Sequence, residues 1–370
     1  MSNAQTKLCE VLLEEYFGPG VSQIASNILN FGSKTLGQIC SSTGLSIRDV
    51  RQGLSFLLYH DLVSVSDSRK PGNPDYTVQV DNVQSMLYYP QYLSLISRYG
   101  DEAVILAEEV CKSGKILVSD LLLQVYKNLS QESEQEAENP LASLSRLEKE
   151  VKRLILDKIL VCCSPGDSSP GEAEVPSQVQ DEKLMFSPPN INLKDLISGE
   201  STERKDKGLY WKLNLERLNH LLRDQIIEEA AERRVDRTGG ILLRSIFTLS
   251  SELYDPWAQV SGHLGHALLT DRMRKDWKGE EELEHLEQYL TMLSTDRTRF
   301  IDKVGDAGGG QYTINYQHIF EEITAATIEN IILERFGSKS MRIFRYIREK
   351  KYLEENQIQQ VRLKQGFTFS

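Results

Sequence analysis

Two phrases far apart in the chain have the same construction: "FLLYHDLVSV" over Phe56–Val65 and "LILDKILVCC" over Leu154–Cys163. Each is the end of an amphipathic helix that runs straight into a short apolar strand through an Asp or a Lys. In the first, Val50, Leu54, Leu57 and Leu58 form a helical stripe, and beyond Asp61 the apolar residues alternate with a period of two. The cluster "RKPGNP" then supplies turn residues and "DYTVQV" resumes the alternation, so residues 62–80 are expected to form a β-hairpin. Upstream, "LGQICSSTG" reads as a shorter helix ended by Gly44, with Ser46 placed to cap the next one. A helix, a turn, a second helix and a hairpin make the winged-helix variant of the helix-turn-helix.

The same order returns along the chain. "AVILAEEVCKSG", "VSDLLLQVYKNL" and "LSRLEKEVKRLILDKILVCCS" give a second copy, whose wing is expected to be closed by "GLYWKLN". A third runs from "LNLERLNHLLRDQIIEEAAERR" through "GGILLRSIFTLSSE" to "EELEHLEQYLTMLSTDRTRFIDKVGDAGGGQYTINY", with Leu283, Leu286, Leu290 and Leu293 as its stripe. A fourth begins at "QHIFEEITAATIENIILERFG" and has no hairpin. The expectation is a mainly α chain with small β-hairpins (α+β), a tandem array of winged-helix domains. Its domains are 1–90, 91–213, 214–316 and an incomplete fourth over 317–370. Two acidic, Ser-, Pro- and Glu-rich stretches near 131–140 and 164–183 interrupt the second domain and lack the apolar residues needed to offset the cost of ordering.

Composition narrows the function. No apolar run approaches the roughly 18 residues that span a bilayer, and the N-terminus has no signal-peptide pattern, so a soluble chain with no membrane partner is expected. The five cysteines lie scattered without a disulfide framework and read as reduced thiols. A formal net charge of -11 opposes a surface coated with nucleic acid, so any DNA contact must be local.

No motif supports catalysis, a metal or another cofactor. "HLGH" sets His263 and His266 three apart on what reads as a helix, but two ligands do not make a zinc site and no Cys lies near. "KSGK" at 112–115 lacks the first glycine of a phosphate-binding loop and reads as a turn between helix and strand. "GDAGGG" at 305–310 joins two strands and reads as a wing tip. The remaining signal is basic: "RFGSKSMRIFRYIREKKYLEENQIQQVRLK" sets nine cations against three acids. Within it Arg342, Arg345 and Arg348 share one side of a helix, with Lys350 and Lys351 beyond, and that face is the candidate phosphate contact. Arg69 and Lys70 in the first wing are the other candidates. The helix of the opening phrase has Arg48, Asp49, Arg51 and Asp61, which cancel, and no pair of base readers, so it is expected to dock protein.

The opening "KLCEVLLEEYFGPGVSQIASNIL", the "LVSV" strand, "YYPQYL" after the first wing, and "RFGSKSMRIFRYIREKKYLEENQI" together resemble the winged-helix subunit of the eukaryotic RNA polymerase III initiation heterotrimer. That family is related to the large subunit of transcription factor IIE. The resemblance covers nearly the whole chain. It implies a non-catalytic nuclear subunit that binds the two other members of the heterotrimer and the clamp of the largest subunit, and that contacts single-stranded or promoter DNA during initiation. A free tandem winged-helix DNA-binding regulator is the competing reading. It requires basic recognition helices, whereas the third copy's helix is acidic at Glu280, Glu281, Glu282, Glu284 and Glu287.

Overall fold

The computed structural model describes residues 3–66, 74–132, 140–164, 177–178, 181–198, 206–276, 285–352 and 354. They fall into two compact units, Met1–Leu222 and Arg223–Ser370.

The first unit holds two apolar cores. In the first, the helices Asn3–Phe17, Pro19–Phe31, Leu36–Thr43 and Ile47–Tyr59 close over a three-stranded antiparallel sheet. Its strand order is Lys34–Thr35, Asp75–Val78, Val63–Ser66, so the hairpin's second strand lies in the middle. Ser46 caps the helix Ile47–Tyr59 by accepting the Asp49 N–H at 3.2 Å. The expected stripe points inward, with Val50, Leu54 and Leu57 buried against Leu13, Ile24 and Ile39. The wing tip with Arg69 and Lys70 lies outside the described residues.

The repeated phrase proves to be a helix terminus. Asp61 adopts a left-handed backbone, φ +56, and the Leu62 N–H returns to the Leu57 carbonyl at 2.8 Å. In the second copy Lys158 has φ +62 and the Ile159 N–H returns to Leu154 at 2.9 Å; in the third the helix ends at Thr295, and Arg299 with φ +47 lies in the loop beyond it. In the first two copies this is the six-to-one bond of a Schellman-type stop, here with a side-chain-bearing residue where glycine is usual. Each of these two stops drives the next residue, Leu62 or Ile159, into a core.

The second core gathers the helices Asp101–Ser113, Val118–Glu132 and Pro140–Leu156. The sheet runs Ile116–Leu117, Tyr210–Leu213, Leu160–Ser164, Ser177–Gln178. The strand Tyr210–Leu213 closes this wing from beyond the insertion and buries Trp211 completely. Part of the acidic stretch takes up structure despite its composition. Ser177 and Gln178 pair with Ser164 and Cys163, because the outer edge of Leu160–Ser164 offers backbone groups that need partners.

In the second unit the helices Arg237–Leu253, His266–Asp276 and Leu286–Thr295 pack over a sheet ordered Leu264–Gly265, Gln311–Thr313, Asp302–Gly305. Leu286, Leu290 and Leu293 are buried as expected, while Leu283 lies outside the described residues. "GDAGGG" is the turn between the last two strands, with Gly308, Gly309 and Gly310 all at positive φ. A helical stretch, Tyr316–Lys350, follows and is broken at Gly337. No helix among the described residues is long and apolar enough to cross a membrane.

Candidate nucleic-acid interface

Gly337 turns the stretch Tyr316–Lys350 into two antiparallel helices. In one continuous helix Glu329 and Arg345 would lie about 24 Å apart, at 1.5 Å per residue. Instead the Arg345 guanidinium donates to Glu329 at 2.7 Å, and Arg348 pairs with Glu322. The chain has therefore doubled back. Gly337 takes φ +78 and ψ 175, and an added Cβ would meet nothing within 4 Å, so glycine is required there for its backbone and not for space.

Arg297, in the loop just after the helix Leu286–Thr295, completes a network. Its guanidinium lies 3.3 Å from Glu322 and 3.4 Å from Glu329. Glu329 is only 4% exposed, and a buried carboxylate is stable only when its charge is matched. Three guanidiniums around two carboxylates thus fasten both limbs of the hairpin to the third module.

The candidate cations are distributed unevenly as a result. Arg345 and Arg348 face the protein's own acids. Arg342 is exposed, Lys350 lies 3.7 Å from the neighbouring Glu349, and Lys351 is the φ +62 residue that ends the second limb. The sequence reading counted only the acids downstream of Gly337 and so missed Glu322 and Glu329. Their spacing of seven puts both on one helix face. A glycine between two helical stripes was the sign that this face returns to meet the arginines.

The three helices at the recognition position differ in charge. On Ile47–Tyr59 the exposed side carries Arg48, Arg51, Gln52 and Ser55, bordered by the exposed Ile47 and Phe56. Asp61 does not offset these arginines as the sequence reading assumed, because Lys115 and Lys212 hold it. On Pro140–Leu156, Arg146 pairs with Glu102, Lys152 with Glu148 at 2.7 Å, and Arg153 with Glu150 at 3.6 Å. On Leu286–Thr295 the exposed residues are Glu287, Gln288, Thr291, Met292 and Thr295, without a cation. A helix that reads the major groove needs Arg, Lys, Asn or Gln at its front and cations for phosphates.

"KSGK" is a turn with a structural task. Gly114 has φ +72, and a Cβ there would stand 2.9 Å from the Tyr59 carbonyl oxygen, so both conformation and space demand glycine. Lys115 enters the protein with its side chain 1% exposed and donates to Asp61 at 2.7 Å; Lys212 donates to the other carboxylate oxygen at 2.6 Å. The first helix stop is thereby clasped by two lysines of the second module.

His60 sits in this junction, edge-on to Phe17 with ring centroids 4.9 Å apart. Burial lowers its pKa from 6.5 to about 4, with Asp61 pulling the other way and Lys115 reinforcing the drop. The unfolded chain takes a proton near pH 6.5 while the folded chain resists until about pH 4. Stability is therefore full above the upper value and falls as pH drops through that window, by about 3 kcal/mol at about 1.4 kcal/mol per unit. Hydrogen-exchange protection of the first sheet, followed from neutral to acid pH, should show this loss. His60→Phe should flatten it, and an unchanged acid slope in that variant would show that another group is responsible.

The histidines of "HLGH" do not share a helix: His263 precedes the strand Leu264–Gly265, and His266 begins the next helix. Among the described residues no group of three or more His, Cys, Asp or Glu side chains is placed to hold a metal ion. All five cysteines are free thiols, and burial pushes Cys111 up to about 12 and Cys162 to about 11, out of the reactive range.

Comparison with known proteins agrees with this architecture. The family model RNA polymerase III subunit RPC82 matches residues 125–323, its helix-turn-helix domain matches 7–66, and the POLR3C C-terminal winged-helix domain matches 328–364. The rat protein named DNA-directed RNA polymerase III subunit RPC3 is 31% identical over 97% of this chain and 71% of its own length. The human protein of that name is 30% identical over the same shares, and the zebrafish protein 27% identical over 97% and 72%. On this evidence the chain belongs to the RNA polymerase III subunit RPC82 family, as a non-catalytic, winged-helix subunit whose partners are other subunits of that polymerase.

Proposed function

We propose that this chain acts in the nucleus during initiation by RNA polymerase III. Its winged helices dock the two other members of the initiation heterotrimer and the clamp of the largest subunit, and its C-terminal hairpin contacts DNA near the melted promoter. The observation that carries this reading is the helix Leu286–Thr295, which presents Glu287 and Met292 with no cation. Phosphates are repelled by such a face, whereas a partner protein can bury Met292. The paired cations of Pro140–Leu156 support the same division of labour. A free DNA-reading regulator has no use for either surface.

Affinity capture of the tagged chain from nuclear extract, read by mass spectrometry, tests the assembly. Polymerase III subunits should be recovered, the two heterotrimer partners at stoichiometric levels. Met292→Glu should deplete a subset of them while leaving the chain folded by circular dichroism. Recovery of the chain without polymerase subunits would remove the docking role.

A further inference from the structure

The outer wing strand is treated differently in each of the three modules. In the second, the outer edge of Leu160–Ser164 is paired by Ser177–Gln178, a short uncharged segment of the chain's own insertion. In the third, Asp302–Gly305 is an edge strand but a poor template. Val304 is the extra residue of a bulge, since Gly305 pairs with Gln311 and Lys303 with Tyr312, and Lys303 and Asp306 form an ion pair at 2.5 Å beside it. Bulges and charges are the usual means by which an edge avoids acquiring another strand. In the first module Val63–Ser66 is also outermost among the described residues, and it has neither device. Its register with Asp75–Val78 is unbroken, and its sequence, Val-Ser-Val-Ser, holds no charge and no proline.

The open groups of this edge can be named. The Gln79 N–H donates to the Leu62 carbonyl at 2.8 Å, which fixes the phase of the antiparallel ladder. Leu62, Ser64 and Ser66 therefore turn their backbone groups to the neighbouring strand, and Val63 and Val65 turn theirs outward. The Val63 side chain is buried in the first core, whereas that of Val65, on the same face, is 51% exposed beside its cross-strand partner Tyr76.

We propose that the edge Val63–Ser66 takes an extended segment of a partner polypeptide as a further antiparallel strand, uncharged where it pairs and with an apolar side chain opposite Val65. The proposal rests on the docking role given above and supplies one mode for it. Three observations select this occupant. The equivalent edge of the second module is filled by a segment of that kind, so the repeat itself shows what fits. Tyr76 and Val65 form a row of cross-strand neighbours that an apolar residue at the next place extends, while Ser64 and Ser66 on the other face suit polar ones. A second copy pairing strand to strand would bury only two such short edges, far less than the roughly 1,200 Å² of a stable interface, whereas an added peptide is held by its backbone bonds.

The test uses the full chain, isotopically labelled for amide exchange by nuclear magnetic resonance, and a synthetic octapeptide of alternating Thr and Val. Octapeptides of alternating Thr and Pro, and of alternating Lys and Glu, are the comparisons. In the free chain the Ser64 amide should be protected and the Val65 amide should exchange with water. The Thr-Val peptide should slow exchange at Val65 saturably, and neither comparison peptide should. Val65→Pro should weaken binding by more than about tenfold, because it forfeits an outward N–H bond and sets a ring where the incoming carbonyl must lie. It should nevertheless keep the first sheet, whereas Ser64→Pro, which removes a ladder bond, should disrupt it. Val65→Lys keeps every backbone group and should also weaken binding, by about tenfold, as a charge on an edge does. Equal binding by wild type and the two Val65 variants, an equal response to the Thr-Pro peptide, or a Val65 amide as protected as that of Ser64 would each overturn the site. Dimerisation in sedimentation equilibrium that Val65→Lys abolishes would give the edge to a second copy and overturn it as well. None of these results bears on the recovery of polymerase subunits through Met292, so failure of the edge and failure of the docking role are read separately.

Discussion

Asp61→Ala should lower the stability of the first unit by about 3 kcal/mol, the lower end of what breaking a buried ion pair costs, since Asp61 itself is about one-third exposed. The loss comes mainly from the other side of the pair. Lys115 is buried with its ammonium on Asp61, and without that carboxylate its charge has no counterpart. Two further substitutions separate charge from backbone strain. Asn tolerates the left-handed φ of +56 as well as Asp does, so Asp61→Asn should remain destabilised. Adding Lys115→Met to Asp61→Asn should recover much of the loss by removing the stranded ammonium. Hydrogen-exchange protection in both sheets of the full chain is the readout, because the clasp joins the first helix stop to strands of the second module. Full protection in Asp61→Asn would mean that the clasp contributes nothing.

Trp211→Ala should cost about 3 to 5 kcal/mol, the range for emptying a fully buried aromatic site. Trp211 lies on the inner strand Tyr210–Leu213, opposite Ile116 on one side and Cys162 on the other, so its loss opens a cavity where these three strands meet the second core. Trp211→Phe should be much milder. The indole N–H has no hydrogen-bond partner among the described residues, and phenylalanine forfeits volume but no bond. Urea titration with hydrogen-exchange readout on Leu160–Ser164 should rank wild type, Phe and Ala in that order. Equal losses for Phe and Ala would point to an indole contact beyond packing.

Much of this architecture was legible because it is local. Helix stripes such as Val50, Leu54 and Leu57, the Ser46 cap, the Gly44 stop and the alternating wing strands follow from neighbours within a few residues. Even the strand Tyr210–Leu213 was placed across a long insertion, since its alternation matched an unfilled position in the repeat. What escaped the sequence is long-range pairing of charge. Asp61 was counted against Arg48 and Arg51 on its own helix, yet it answers Lys115 and Lys212. Arg345 and Arg348 were counted as a free basic face, yet the turn at Gly337 brings them to Glu329 and Glu322. A net charge summed along a segment cannot register a partner supplied by another one. The left-handed stops at Asp61 and Lys158 escaped for a different reason: glycine is the usual sign of that conformation, and neither is glycine.

Transcription on two templates tests the initiation role most directly. Polymerase III depleted of this chain would be assayed with its initiation factors on a closed promoter and on the same promoter opened by a mismatched bubble. The account predicts that the depleted enzyme fails on the closed template, transcribes the opened one, and regains the closed template when the chain is returned. Equal deficits on both templates, or none on either, would contradict it.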